Sequence, residues 1–469
     1  MKAIILAGGK GERLWPLSRE RHSKQFINFF GQKTLLQETY ERTLVMFAPQ
    51  DIITVTNQDY FYYVSHIAQK VSPQLADNII AEPARKNTAP AIALACQYVK
   101  EKQKINDDEI VFVFPADHVM RPIEEFQKMI RTGVEAAESG YLTVFGTNPS
   151  KPETGYGYIK AGKPIKSFHK VDCFTEKPDL KTAKKYLKSG KYFWNAGIFA
   201  FSLKTFYDEL KTYNQPIFDL VSQGFNKAIK NFSNIPAISM DYAIMEKTKK
   251  SAVVKTDIIW ADLGSWDSFY DVSQKDANNN VLVGDVRVIN TKNSLVFSNN
   301  KLATVLGVNE LLIINTDDAL LVCKKNDSQD VKKILNILRD EKKEEALEPR
   351  EVYRNWGKYI VSERGSGYKI KKVFVDPGES LSLQLHKKRS EHWVVVKGKA
   401  KITIDKKVLI LKKGESAYVA PKTLHRIENP FREIVEIVEV QNGICEEEDI
   451  IRFQDKYGRK TINNKKRNG

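Results

Sequence analysis

The chain has 469 residues, 42% of them hydrophobic and 28% charged, and carries a formal net charge of +16. That length exceeds one hydrophobic core, so two or three domains are expected, and the composition excludes a disordered or fibrous protein. No apolar run approaches the ~18 residues of a membrane span, Met1 to Ala7 lack the length and cleavage site of a signal peptide, and the four cysteines form no C-x-x-C pair, so reduced thiols in a cytoplasmic protein are expected, with no membrane partner.

The lysines are spread along the whole chain, and the one concentrated basic run, Lys465-Lys466-Arg467, has no RNA-binding aromatic motif beside it. Nucleic acid is therefore not expected as a partner. A positive field of this kind suits nucleotide and sugar phosphates.

The first element is an apolar strand from Ala3 to Ala7, which runs into Gly8, Gly9 and Gly11 and then a basic segment containing Arg13 and Lys24. Glycines let the backbone turn sharply and a ligand approach closely. Their bare amides, with a helix or turn start, make a cradle for phosphate oxygens, and Arg13 and Lys24 add cations. A dinucleotide fingerprint is excluded because the third glycine position holds Leu14, and no G-K-[ST] follows for a Walker A loop.

Up to about residue 270, strands and helices alternate. Ile52–Thr56, Glu109–Phe114 and Tyr141–Gly146 read as strands, and Ala89–Val99 is helical in composition. This predicts an α/β sheet with helices on both faces and ligands beyond the carboxyl ends of the strands. Asp117 follows the strand ending at Phe114, where it can serve as a magnesium ligand or as a helix N-cap. A second aspartate, Asp262, lies in Trp260-Ala261-Asp262-Leu263-Gly264-Ser265-Trp266. Thr88 is the expected cap of a helix beginning near Pro90.

From 281 to about 330, short β-branched runs separated by Asn, Asp and Gly predict stacked strands of a β-helix-like connector. Val331 to Asp340 has helical spacing, and the charge cluster 340–345 marks a boundary near 346. The expected division is thus 1–280, 281–346 and 347–469. Beyond 347, Gly and Pro at regular spacing imply a small all-β double-sheet barrel.

The wording Arg13-Leu14-Trp15-Pro16-Leu17-Ser18-Arg19, followed by Lys24-Gln25-Phe26, resembles sugar-1-phosphate nucleotidyltransferases, and among them the mannose-1-phosphate guanylyltransferases. Glu82–Pro90, Thr154–Ile159, Phe174-Thr175-Glu176-Lys177-Pro178, Trp194–Phe199 and Ser239–Lys247 match further motifs of that family in order. The resemblance implies a Rossmann-like mixed sheet and the transfer of GMP from GTP to mannose 1-phosphate, giving GDP-mannose for polysaccharide biosynthesis. It implies catalytic roles for Arg13, Lys24 and Lys177, and nucleotide contacts by Leu6, Ala7, Gly8, Gly9, Gly11, Arg13, Lys24, Arg85 and Asn87. Sugar-phosphate contacts are implied for Gly157, Glu176, Lys177 and Asn195, and a shared Mg2+ for Asp117 and Asp262. Asp241 is not expected to be catalytic, and a homo-oligomer, a dimer, is the expected assembly.

In the last part, His386, Glu391 and Gly398, then Gly414, Pro421, His425 and Asn429, resemble the two motifs of a cupin. Gln384-Leu385-His386 with Arg389-Ser390-Glu391-His392-Trp393 is similar to the isomerase domain of type II mannose-6-phosphate isomerases. Gln384 and His386 share a strand face by the two-residue repeat, and Glu391 and His425 can converge on it from neighbouring strands. Such a set suits zinc or a similar divalent ion with an open position for a hexose 6-phosphate. Arg389 is a candidate substrate contact, or else a surface ion pair. Two departures stand out: Lys388 where the family commonly has His, and Pro421-Lys422-Thr423-Leu424-His425, one residue short and without the usual Gly. Alternation would turn Lys388 toward the metal unless the strand bends. An isomerase and a non-catalytic scaffold barrel both remain open, as does base choice. A non-enzymatic nucleotide sensor would lack Asp262.

Overall fold

The computed structural model describes residues 1–9, 11–31, 33–446 and 449–456; Lys10 and the basic run at 465–467 lie outside the described residues. By packing, the chain divides into two units, Met1–Leu347 and one beginning at Glu348.

The first unit is built on a nine-stranded mixed sheet. Its strands are β1 (Lys2–Leu6), β2 (Ile52–Asn57), β3 (Ile79–Glu82), β4 (Ile110–Pro115), β6 (Leu142–Thr147), β7 (Tyr158–Ile165), β8 (Phe168–Thr175), β9 (Tyr192–Ser202) and β10 (Ser251–Lys255), in the order β3-β2-β1-β4-β9-β6-β10-β8-β7. A separate two-stranded ribbon pairs β5 (Val119–Arg121) with β11 (Ile259–Ala261). Pairing is parallel from β3 through β4, and β9 runs antiparallel between β4 and β6.

The apolar runs are continuous because both faces of the sheet are covered. On β4, Val111 and Val113 join a core with the helices Thr88–Lys102 and Leu203–Tyr213. Phe112 and Phe114 point the other way, against Phe47, Phe126 and Phe145. The carboxyl ends of β1 to β4 therefore share one edge, and the chain leaves them at Ala7, Asn57, Glu82 and Pro115.

Residues 281–324 form short stacked strands: Val281–Val283, Leu295–Ser298 and Leu311–Asn315 pair in parallel, as do Val286–Ile289 and Ala303–Leu306. The helix Val331–Asp340 follows, as its spacing predicts. This β-helix-like part packs with the first: Leu14, Trp15, Ile27 and Phe29 share one core with Val281, Leu295, Phe297 and Leu312.

The second unit is an all-β, cupin-like double sheet. One sheet has six strands, including Tyr368–Val375, Arg389–Lys397 and Val435–Gly443; the other has five, including Leu383–His386, His425–Glu428 and Ile450–Gln454. The turn between Ser416–Val419 and His425–Glu428 lacks the expected glycine, yet Lys422 takes the left-handed conformation there, with φ 66°. Its amide donates to the His386 carbonyl at 2.6 Å, which fixes the turn against the neighbouring strand. A side chain costs ~1–2 kcal/mol in that conformation and glycine far less. Lys422→Gly is therefore expected to raise the unfolding free energy by up to about 1 kcal/mol in denaturant titrations, part of the gain being offset by glycine's freedom in the unfolded chain.

Candidate active sites

The first site forms where β1, β4 and the β5–β11 ribbon end together. After β1 the chain enters the glycine segment, and the carbonyls of Ala7, Gly8 and Gly9 are held by Gln25 and Thr56, by Asn57 and by Ser23. Among the described residues, the amides of Gly8, Gly9 and Gly11 have no acceptor, so they are available to a ligand. The following turn is a short 3-10 segment, Glu12–Leu14, and not the start of an α-helix. Gly11 has φ 62°, and a Cβ there would lie 2.7 Å from Lys24 Cγ, so the bare backbone makes room for Lys24.

Lys24 is 8% exposed. Its Nζ lies 3.0 Å from Asp117 Oδ2 and also donates to the Asp262 carbonyl. Asp117 is not a helix cap, because strand β5 follows it. The ribbon pairs Ala261 with Val119, which sets Asp262 beside His118 and Asp117. The Asp262 carboxylate accepts from the Tyr156 hydroxyl at 2.9 Å and the Gly264 amide at 2.8 Å. Burial pushes this carboxyl up, but Lys24, His118, Tyr156 and the Gly264 amide outweigh it and hold it below the usual carboxylate range. The paired Asp117 and Asp262 side chains fit magnesium, which is bound by one or two carboxylates plus substrate phosphates.

His118 is half-buried, and desolvation of its ring lowers its pKa. The Trp260 indole donates to its Nδ1 at 3.2 Å, leaving the ring proton on Nε2, 3.7 Å from Asp117 Oδ1. Arg13 donates through Nη1 to Gln329 at 2.7 Å. A Cβ built on Gly264 would lie 3.1 Å from Arg13 Nη2 and 3.0 and 3.1 Å from the two Asp262 carboxylate oxygens, so both side chains border that glycine.

Arg85 and Asn87 follow β3 on the same edge. Arg85 stacks on Tyr60 at 5.2 Å and pairs with Asp59 at 3.4 Å. Asn87, not Thr88, caps the helix: it has φ 68°, its side chain accepts from the Thr88 amide at 2.9 Å, and the helix starts at Thr88. Thr88 Oγ1 instead accepts from the Met240 amide at 2.8 Å.

Nearby, the Glu82 carboxyl is 6% exposed and is pushed by burial to about 8, against the opposing pull of Arg85. A carboxyl raised in the fold stabilises it fully at low pH and loses that contribution as pH climbs from ~4.5 to about 8. Glu82→Gln is expected to remove this decline, which thermal melts taken across that window will measure.

A second cluster gathers Gly157, Glu176, Lys177 and Asn195, the residues for which the sequence implies sugar-phosphate contacts. The Asn195 amide donates to the Gly157 carbonyl at 2.8 Å, and a Cβ on Gly157 would lie 2.6 Å from Glu176 Oε2. Lys177 Nζ pairs with Glu176 Oε1 at 2.6 Å. Asp241 belongs to this cluster as well, since Asn195 Nδ2 donates to its Oδ1 at 3.0 Å. Burial, and then the charge of Glu176, push the Asp241 carboxyl up to about 7. Tyr156 joins the two clusters, with its carbonyl accepting from the Lys177 amide and its hydroxyl on Asp262. Lys177 and Leu263 also have positive φ, 48° and 44°. With Asn87, three strained side-chain-bearing residues lie in the motif segments, a pattern found at functional sites.

The second site lies within the barrel. Gln384 pairs in register with His425 across one sheet, while Glu391 reaches in from the opposite sheet and not from a neighbouring strand. His386 Nε2 lies 3.1 Å from Glu391 Oε1 and 3.2 Å from His425 Nε2, and Gln384 Nε2 is 3.5 Å from His386. The ligand atoms of His386, Glu391 and His425 lie within 4.8 Å of one another.

His425 Nδ1 donates to the Thr423 carbonyl at 2.9 Å, which leaves the lone pair of its Nε2 facing the cluster, and Arg389 Nη2 lies 3.2 Å from His386 Nε2. That donor set fits a divalent ion, with the Thr423 carbonyl orienting one imidazole. Burial pushes Glu391 up, but His386, His425 and Arg389 hold it well below the usual range.

Arg389 is buried and donates to Glu391 at 3.1 Å; it is no surface ion pair. Lys388 does not face the cluster. The strand ends at His386, the chain bends at 387–388, and the exposed Lys388 gives its amide to Asp449 at 3.0 Å. An open pocket beside the cluster is lined by Arg354, Lys371, Glu439, Gln441 and Arg452.

Residues 2–279 match the family model described as nucleotidyl transferase, residues 284–338 the MannoseP isomerase/GMP-like beta-helix domain, and residues 340–455 the mannose-6-phosphate isomerase C-terminal domain. The chain is 40% identical over 467 residues to a putative mannose-1-phosphate guanylyltransferase of Vibrio cholerae, covering 97% of this chain and 99% of that one. It is 39% identical over 472 residues to mannose-1-phosphate guanylyltransferase of Escherichia coli K12, covering 97% and 98%. A crystal structure from Thermus thermophilus, described as a mannose-1-phosphate geranyltransferase, matches with a TM-score of 0.66 and 30% identity over 72% of this chain and 99% of that chain. No described helix is long and apolar enough to cross a membrane. With three successive domain matches and full-length relatives near 40% identity, the chain belongs to the mannose-1-phosphate guanylyltransferase family, a nucleotidyltransferase carrying a mannose-6-phosphate isomerase C-terminal domain.

Proposed function

We propose that this chain joins GTP and mannose 1-phosphate to give GDP-mannose and pyrophosphate, and that its barrel interconverts fructose 6-phosphate and mannose 6-phosphate. The observation that carries the first activity is the convergence of Lys24, Asp117 and Asp262 beside unbonded glycine amides. A sugar-phosphate oxygen attacks the α-phosphorus and pyrophosphate leaves. The attacking group is already an anion, so positioning and charge neutralisation suffice. The Gly8, Gly9 and Gly11 amides, Arg13 and Lys24 hold the triphosphate, while Leu6, Ala7, Arg85 and Asn87 flank the nucleoside. Lys177 offsets the acceptor phosphate, and Glu176, Asn195, Gly157 and Asp241 face sugar hydroxyls. Asp117 and Asp262 would hold magnesium, whose chemistry there is neutralisation of phosphate charge. Pyrophosphate release measured over a panel of nucleotides and sugar 1-phosphates tests this reading; equal rates with every base would overturn the guanine assignment.

For the barrel, Gln384, His386, Glu391 and His425 would hold a zinc-like ion, which when bound polarises a carbonyl. The remaining task is to move a proton between adjacent carbons through an enediol. We assign that proton to Glu439, a carboxylate lining the pocket outside the His–Glu cluster, whose Oε1 accepts from Gln441 at 2.5 Å. Arg389 and the basic side chains of the pocket face the hexose phosphate. The exposure of Lys388 removes the feature that favoured a non-catalytic scaffold barrel. We assign three parts, 1–280, 281–346 and 347–469, to transfer, connection and isomerisation.

A further inference from the structure

The segment after the short-strand connector reaches back to the glycine loop at two adjacent residues. Gln329 Oε1 accepts from Arg13 Nη1 at 2.7 Å. Arg339 Nη2 pairs with Glu12 Oε1 at 2.7 Å, and its Nε lies 3.5 Å from Glu20 Oε2. The two contacts differ in charge. The loop carboxylate at Glu12 meets a cation, whereas the loop guanidinium at Arg13 meets a neutral carboxamide. A carboxamide fixes the direction of a guanidinium without cancelling its charge, as a carboxylate would. With Nη1 held, Nη2 stays beside Gly264 and Asp262, on the side where the reacting phosphates are assigned.

We propose that Gln329 is a positioning residue for the transfer reaction, supplied by the connector to aim Arg13 at a nucleoside triphosphate without setting a carboxylate against it. The inference rests on the reading that Arg13 binds that triphosphate. It gives the β-helix-like part a share in substrate binding through a residue that belongs to none of the motifs.

Gln329 is exposed, so its variants keep the fold. Gln329→Glu preserves size and the acceptor but neutralises Arg13, and Gln329→Met preserves length and removes the acceptor. In the full-length enzyme, Gln329→Glu is expected to raise the KM for GTP about tenfold, the scale of one charge-assisted contact, with kcat little changed and the salt dependence of kcat/KM weakened. Gln329→Met is expected to raise KM less and to keep the salt dependence. Thermal midpoints are measured alongside.

A Gln329→Glu enzyme with parental KM and parental salt dependence overturns the proposal, as does a loss of activity that only follows a lowered thermal midpoint. Arg13→Ala separates the two levels. If it leaves the KM for GTP unchanged, the reading of the loop itself fails; if it raises KM while Gln329→Glu is silent, the positioning role alone fails.

Discussion

Replacing Asp262 by asparagine is expected to lower the rate of pyrophosphate release by 10²–10³, about 3–4 kcal/mol of transition-state stabilisation. Asparagine keeps the volume of the side chain, and its carbonyl oxygen still accepts from Tyr156 and the Gly264 amide, so the change isolates the charge. The charge matters because the group is held ionised despite burial, by Lys24 above all. Lys24 bonds to the main-chain carbonyl of Asp262 and to Asp117, and neither contact needs the altered carboxylate. The fold and the lysine position should therefore survive, which a thermal melt will show. Turnover within a few-fold of the parent would remove Asp262 as a metal ligand.

The barrel gives the second large effect. His425→Asn is expected to abolish hexose 6-phosphate isomerisation, a loss of more than about 10³, and to strip bound metal, while GDP-mannose formation in the same preparation is unchanged. This residue is chosen over Glu391 because Glu391 also balances the buried Arg389. Removing one partner of a buried pair costs ~3–5 kcal/mol and would confuse unfolding with loss of chemistry. His425 instead contributes a lone pair, with its other nitrogen on the Thr423 carbonyl. Metal content and isomerase activity measured together decide the matter: a variant that keeps both, or a metal-free parent that isomerises, would overturn the assignment.

Much of this was legible from residue order. Apolar runs such as Ile110–Phe114 announce a covered sheet because both of its faces need burial, and the helix at 331–340 keeps a clear period. The approach of Asp117 and Asp262 is harder to read, since the ribbon joining them has only three residues per strand and no pattern of its own. Asp241 is masked by its apolar neighbours; only the bond from Asn195 shows which way it faces. Alternation turns Lys388 inward only if the strand continues past His386, and it bends there instead because the amides of Lys387 and Lys388 donate to Asp449, a contact distant in sequence. Glu391 comes from the opposite sheet because a double-sheet barrel closes across its interior, a long-range pairing that alternation cannot specify.

The apolar core that Leu14, Trp15 and Phe29 share with Leu295, Phe297 and Leu312 bears on how the gene can be dissected. A fragment stopped near residue 280 would leave tryptophan and phenylalanine bare beside the glycine turn, and is expected to aggregate before its kinetics can be read. The Trp15 indole also donates to the Glu345 carbonyl, and the amides of Glu20 and Arg21 donate to the carbonyls of Ala346 and Leu347. Scissors belong after Leu347, and a transplanted catalytic half has to bring its short-stranded companion along.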